Sequence, residues 1–171
     1  MKEIDFYLKP FYSEEISSDF RITGSIRRHP GRLKLLYELN GPLTSLSIPP
    51  VSGKPKRMER LWKETCFELF LNINDSNTYW EFNLSPSGDW NIYRFSAYRE
   101  GMQEEEAFVD LPFTIQTGPD ILRLVFEPNA EKIIPLDRAI NVGISAVLKA
   151  KSGRIMYWAL VHHGEKPDIN G

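Results

Sequence analysis

Cysteine occurs once in this chain, as Cys66, so no intrachain disulfide can form. A bridge-free chain of this size that keeps a thiol fits a reducing compartment, and a cytoplasmic location is expected. Histidine is almost as scarce: His29, His162 and His163 are the full set. No His-x-x-x-His or paired-cysteine spacing exists, and His162 and His163, adjacent on a strand end, point to opposite faces, so no metal site is expected. An excess of one charge is missing too. With 21 Lys and Arg against 23 Asp and Glu the net charge is −2, which argues against a nucleic-acid partner, since that needs a clustered basic surface. No apolar run approaches the ~20 residues of a membrane helix, so no membrane partner is expected. The N-terminal stretch MKEIDFYLKPFYSEE lacks the apolar segment and cleavage pattern of a signal peptide. The Gly-x-Ser-x-Gly elbow of a serine hydrolase is absent. Gly53-Lys54 lacks the upstream glycine of a phosphate loop and is followed by Pro55 where a Ser or Thr is required. The length, 171 residues, fits one domain with a real core, spanning 1–171.

What the chain does have is short apolar-alternating runs punctuated by turn formers. Runs at 4–8, 20–28 and 32–39 read as strands, the last two joined at His29-Pro30-Gly31. Residues 43–48 are expected to add a strand. A Pro- and Gly-rich loop, 49–57, follows. Strands are then expected at 64–73, 78–85 and 90–97, at 113–117 and 121–127, with a possible extension at 132–134, and at 140–149 and 154–162. The arm 154–162 is apolar on both faces and reads as a central strand, on which Trp158 is either core or platform. No helix longer than two turns is expected. Many short strands with regular turn signals predict an all-β antiparallel sandwich of about ten or eleven strands.

The stretch from Trp62 to Phe95 predicts a β-meander whose register follows if each turn cluster, Asn74–Asn77 and Pro86–Asp89, is a four-residue loop. The first hairpin then pairs Leu71 with Trp80, Leu69 with Phe82 and Phe67 with Leu84 on an apolar face. The other face pairs Phe70 with Glu81, Glu68 with Asn83 and Cys66 with Ser85. In the second hairpin, Phe82 is expected opposite Tyr93, Trp80 opposite Phe95, Glu81 opposite Arg94, Asn83 opposite Ile92 and Ser85 opposite Trp90. A one-residue slip would exchange the faces. The result is a core face and a mixed face carrying Glu68, Glu81, Asn83, Arg94 and Trp90. That mixed face is either solvated, with a structural Glu81–Arg94 pair, or a ligand face, since carboxylate, amide and guanidinium beside flat aromatics suit sugar hydroxyls and ring faces. Glu68 and Glu81 would be diagonal neighbours roughly 7 Å apart, within the range of a glycosidase pair. An arginine facing Glu81 would hold it ionised, which is wrong for a general acid. Cys66, mid-strand, reads as packing rather than as a nucleophile.

The segment Trp62-Lys63-Glu64-Thr65-Cys66-Phe67-Glu68-Leu69-Phe70, with Tyr79-Trp80-Glu81-Phe82-Asn83-Leu84-Ser85-Pro86-Ser87-Gly88-Asp89-Trp90, resembles the DOMON-like, family-9 carbohydrate-binding-module superfamily. So does the tail Tyr157-Trp158-Ala159-Leu160-Val161-His162 followed by Lys166-Pro167-Asp168. The likeness is to a bacterial subgroup without a settled function. It covers about a fifth of the chain well. It implies a β-sandwich that binds sugar in some branches and haem in others. It also implies a sugar clamped between two tryptophans with a glutamate on the strand after the first. By motif position those are Trp62, Glu68 and Trp158. The subgroup continues past Asp168 to an aromatic and a histidine, where this chain reads Ile169-Asn170-Gly171, so the role of the His162–Asp168 tail is open.

The reading is therefore non-catalytic binding of a small saccharide or sugar-containing ligand on the concave mixed face. The expected ligand residues are Trp62, Glu68, Glu81, Asn83, Trp90, Arg94 and Trp158, with no catalytic residue, no metal and no cofactor. The alternatives are a haem-binding domain with Met and His as axial ligands, from Met58, Met102, Met156, His29, His162 and His163, or a hydrolase using Glu68 and Glu81.

Overall fold

The computed structural model describes residues 3–11 and 16–160. Where β-branched and aromatic residues alternate with polar ones the backbone is extended, because such side chains pack well on a pleated surface. Eleven strands result among the described residues, numbered in chain order: β1 (Glu3–Pro10), β2 (Arg21–His29), β3 (Arg32–Asn40), β4 (Cys66–Ile73), β5 (Tyr79–Leu84), β6 (Trp90–Phe95), β7 (Gln103–Glu104), β8 (Phe113–Thr117), β9 (Ile121–Phe126), β10 (Ile140–Lys149) and β11 (Ile155–Leu160). The expected all-β antiparallel sandwich is what forms.

All the strands belong to one curled antiparallel sheet, in the order β7-β6-β5-β4-β10-β11-β1-β2-β3-β9-β8. The two halves are joined by β1, whose first part, Glu3–Tyr7, pairs with β2 while Leu8–Pro10 pairs with β11. The core lies between the halves. Phe67, Leu69, Leu71, Phe82, Leu84 and Ile92 from one half meet Leu35, Tyr37, Leu39, Leu122, Leu124 and Phe126 from the other, all shielded from solvent. Ring contacts bridge the gap, with Phe82 5.8 Å from Phe126 and Tyr37 5.0 Å from Phe67. The Tyr37 hydroxyl also donates 2.6 Å to the main-chain oxygen of Glu68, tying β3 to β4.

Two predicted strands are absent. Residues 43–45 form a 3-10 turn, and only Leu46 makes a bridge, to Ala150. Residues 130–132 are likewise a 3-10 turn, capped by the Asn129 side chain, which accepts from the Glu131 N–H. Both segments begin beside a turn former, Pro42 and Asn129, which starts a tight turn at the cost of the ladder. In the aperiodic stretch after β6, the two residues of β7 extend the sheet edge along Tyr93 and Arg94.

The first hairpin has the predicted register from Phe67↔Leu84 through Glu68↔Asn83, Leu69↔Phe82, Phe70↔Glu81 and Leu71↔Trp80 to Asn72↔Tyr79. The second is shifted by one residue. Leu84 pairs with Trp90, Phe82 with Ile92, Glu81 with Tyr93 and Trp80 with Arg94. The loop is not Pro86–Asp89 but Ser85–Asp89. The Gly88 N–H donates to the Ser85 oxygen, and the Ser85 N–H to the Asp89 oxygen. One extra residue in the loop exchanges the faces of β6. Gly88 makes this turn possible at φ +97, a region that L side chains rarely adopt, and a Cβ there would lie 3.0 Å from Pro55 Cγ. Gly88→Ala is expected to cost about 1–3 kcal/mol, read as a shift of the urea midpoint at unchanged slope.

Candidate functional site

The face turned away from the core is built by β10, β4, β5 and β6, and the register lays its side chains in three rows. Ser145, Glu68, Asn83 and Asn91 form the first, Gly143, Phe70, Glu81 and Tyr93 the second, and Asn141, Asn72, Tyr79 and Phe95 the third. The mixed character predicted for this face is present, but its openness is not. Glu68 and Asn83 are 0% exposed, Glu81 3% and Asn91 0%. A single turn, Leu61–Lys63, packs over β4 and β5. It brings the half-buried Trp62 ring edge-on to Tyr93 at 5.8 Å, against a cluster of Tyr79, Tyr93 and Phe95. Tyr79 and Phe95 stack at 4.6 Å with an interplanar angle of 7°.

The predicted site residues separate accordingly. Trp62, Glu68, Glu81 and Asn83 gather on this face. Trp90, Arg94 and Trp158 do not. The one-residue shift puts Trp90 into the core, 3% exposed, with the Arg57 guanidinium 4.5 Å over its ring. Arg94 sits opposite Trp80, so no arginine faces Glu81 across the ladder. Trp158 pairs with Ala146, which is itself opposite Phe67, so its ring points into the core.

Without that arginine, the carboxyl groups are governed by burial. The Glu68 carboxyl is pushed up to about 8, first by desolvation and then by the neighbouring Glu81 charge, against the hydrogen bond that Ser145 Oγ donates to Oε1 at 2.9 Å. Glu81 is raised to about 7 by burial, opposed by the bond that Asn83 Nδ2 donates to its Oε2 at 3.1 Å. Glu68 Oε2 and Asn83 Oδ1, on directly paired residues, are buried with no hydrogen-bond partner. Asn91 is saturated by contrast. Its Nδ2 has three acceptors within reach of its two N–H bonds, Met58 O, Tyr93 Oη and Glu104 Oε2, and its Oδ1 accepts from Arg57 Nη1. Two raised carboxyls on one face resemble an acid–base pair, and both are closed off from solvent in this structure.

Beside the covered acids the face opens. A cleft of about 350 Å³ is lined by Phe70, Asn72, Tyr79, Tyr98, Asn141 and Gly143, among others. The Asn141 amide donates to Asn72 Oδ1 at 3.1 Å, and Asn72 Nδ2 donates to the main-chain oxygens of Ser76 and Thr78, which fixes the side-chain orientation of both. Sequence reasoning missed this cleft, since β4, β5, β10 and the residues after β6 all contribute. One signal was available: an isolated glycine, Gly143, inside a strand pattern marks a place where something approaches the backbone closely.

Among the described residues, the Met and His side chains expected as axial ligands for haem are scattered. Met58 and Met102 are exposed, Met156 is in the core, and His29, at the β2–β3 tip, accepts from Arg27 Nε. None of them lines the cleft, and His162 and His163 lie outside the described residues. Among the described residues, no three His, Cys, Asp or Glu side chains converge to hold a metal ion. No helix there is long and apolar enough to cross a membrane.

No family model and no curated protein sequence matches the chain. Solved structures do. A candidate carbohydrate-binding protein from Bacteroides uniformis ATCC 8492 superposes with a TM-score of 0.62 at 12% identity, over 97% of this chain and 84% of the other. A family-9 carbohydrate-binding module from Caldicellulosiruptor kristjanssonii, solved with cellotriose, superposes with a TM-score of 0.51 at 15% identity, over 98% and 80%. The chain has the family-9 carbohydrate-binding-module fold. At this identity the likeness is one of fold. In the module fold as this chain builds it, the predicted first tryptophan and its glutamate, Trp62 and Glu68, share one sheet face, and Trp158 is turned to the other.

Proposed function

We propose that the protein is a non-catalytic saccharide-binding module whose ligand is held on the β10-β4-β5-β6 face, with Trp62 as its stacking wall and Glu68, Glu81 and Asn83 as its polar floor. One observation carries the reading. Glu68 Oε2 and Asn83 Oδ1, on directly paired residues, are buried and neither has a hydrogen-bond partner. Leaving such groups unpaired costs about 1–3 kcal/mol apiece. Hydroxyl groups both donate and accept, so a hydroxyl-rich ligand can pair with the Glu68 carboxyl, protonated or not, and with the Asn83 oxygen, and its ring faces stack on aromatic side chains. The fold shared with a cellotriose-binding module supports the same ligand class. The Leu61–Lys63 turn covers the floor, so ligand entry moves Trp62 away from Tyr93. Arg60, which precedes the turn at φ 60 in the left-handed region, is where the main chain can absorb that movement.

A glycan array followed by calorimetry tests this. Affinity is expected between ~10 μM and 1 mM, since hydrogen bonds to a sugar replace hydrogen bonds to water for little net gain. Trp62→Ala should weaken binding about tenfold, near 1.4 kcal/mol. Glu68→Gln should weaken it by a similar factor while raising stability at pH 8, a combination a purely structural glutamate does not produce. Wild-type protein that binds no glycan on the array overturns the proposal.

A further inference from the structure

We infer that the open cleft beside the covered acids is a second sugar subsite, one that takes a single uncharged pyranose ring adjoining the ring held under Trp62. The inference rests on the saccharide-binding reading above and adds the length and charge class of the ligand.

Three features of the cleft carry it. Its volume, about 350 Å³, is at the small end of the ~300–1,000 Å³ typical of ligand pockets and suits one ring rather than a peptide helix. Its lining divides into aromatic groups, Phe70, Tyr79 and Tyr98, and amides, Asn72, Asn77 and Asn141, with no charged side chain. Aromatic faces take the C–H face of a pyranose ring. The orientations of Asn72 and Asn141 are already fixed, and the Asn141 carbonyl oxygen remains for a ligand hydroxyl once its NH2 group is spent on Asn72. A uronic acid or phosphosugar would lie next to the Glu81 carboxyl in the same row as Phe70 and Gly143, while the guanidinium beside the cleft, that of Arg99, is held 5.1 Å over the Tyr98 ring.

Gly143 supplies the third feature. It is one of the glycines whose backbone does not require glycine, for its φ is outside the left-handed region. The three atoms nearest a Cβ built there all belong to Phe70, at 3.4 to 3.8 Å, an ordinary contact. Glycine inside a strand weakens it, and neither backbone nor packing here demands one. What its missing side chain preserves is the depth of the cleft. Phe70 and Glu68 are two residues apart on β4, about 6.6 Å along the strand, a step that adjoining rings of one oligosaccharide can make.

Calorimetry with glucose, cellobiose and a cellobiose analogue carrying a uronic acid as one ring tests the subsite on the wild type, Gly143→Leu and Tyr98→Ala. Wild-type protein should bind cellobiose at least tenfold more tightly than glucose, and the uronic analogue no better than glucose. Gly143→Leu, which fills the cleft, should erase the gain from the second ring and leave glucose affinity within about twofold. Tyr98→Ala, on the exposed rim, should reduce the gain without filling anything and guards against a Gly143→Leu protein that folds poorly. Cellobiose binding no tighter than glucose, a gain that survives both substitutions, or equal affinity for the uronic analogue each overturns the subsite while leaving saccharide binding standing. Failure of all three sugars to bind wild-type protein overturns the subsite together with the reading on which it rests.

Discussion

The unfolding free energy of this protein should fall as pH rises from 5 to 8.5, by on the order of 5 kcal/mol. In the unfolded chain the Glu68 and Glu81 carboxyls titrate near 4.5. Folded, they are raised to about 8 and about 7. Between those limits the native state holds protons that the unfolded chain has released. The contribution of the pair is therefore fully present below about pH 4.5 and is lost as pH climbs through 7 and 8. Glu38, lowered by its Arg123 partner, works in the opposite sense, but only where pH falls below 4.5, outside this window. Burial holds the Cys66 thiol protonated in the native state while the unfolded thiol begins to ionise near the top of this window, which adds slightly in the same sense, and Tyr37 keeps its proton in both states. Glu68→Gln should flatten most of the slope and raise stability at pH 8. The amide cannot ionise, and its NH2 group can donate to the unpartnered Asn83 Oδ1. Urea melts at pH 5, 6.5 and 8.5 on both proteins decide it. A wild-type midpoint that does not move across this range would mean that both carboxylates are ionised with an ordinary environment, and that the face is open to water.

Leu71→Ala should cost roughly 2–5 kcal/mol, the usual range for emptying a core site whose neighbours relax only in part. Leu71 is 0% exposed and pairs with both Trp80 on β5 and Val142 on β10, in the middle of the half-sheet. It also lies one strand position from Asn72 at the edge of the cleft, so the loss is expected to come with weaker saccharide binding. A midpoint shift in urea worth less than 1 kcal/mol would mean that the core closes over the gap.

The strands were legible because alternation is local. The first hairpin was legible too, because Asn74–Asn77 is the loop its composition suggests and both faces sort cleanly. The second hairpin was not, since Ser85 looks the same in sequence whether it ends a strand or opens a loop. That single residue carried Trp90 and Arg94 to the wrong face and, with them, the expected Glu81–Arg94 pair. Trp158 stood on a strand apolar on both sides, and only its pairing with Ala146 decides between them. The burial of Glu68 and Asn83 was illegible for another reason. A strand pattern says which residues share a face, whereas whether that face is covered depends on a turn, Leu61–Lys63, folding back over it.

The hand-over in β1, from β2 at Glu3–Tyr7 to β11 at Leu8–Pro10, bears on how the chain reaches this state. Leu8 pairs with Leu160, so the two half-sheets are stitched by residues at opposite ends of the described chain. Contacts of such long sequence separation form late and slowly. Until β11 has been synthesised, a nascent chain lacks the strand that joins the β4 to β6 half-sheet, through β10 and β1, to the β2, β3 and β9 half-sheet that covers it. Growing chains of this protein should engage chaperones, and their resistance to protease should arrive abruptly, with the last strand, rather than build up hairpin by hairpin.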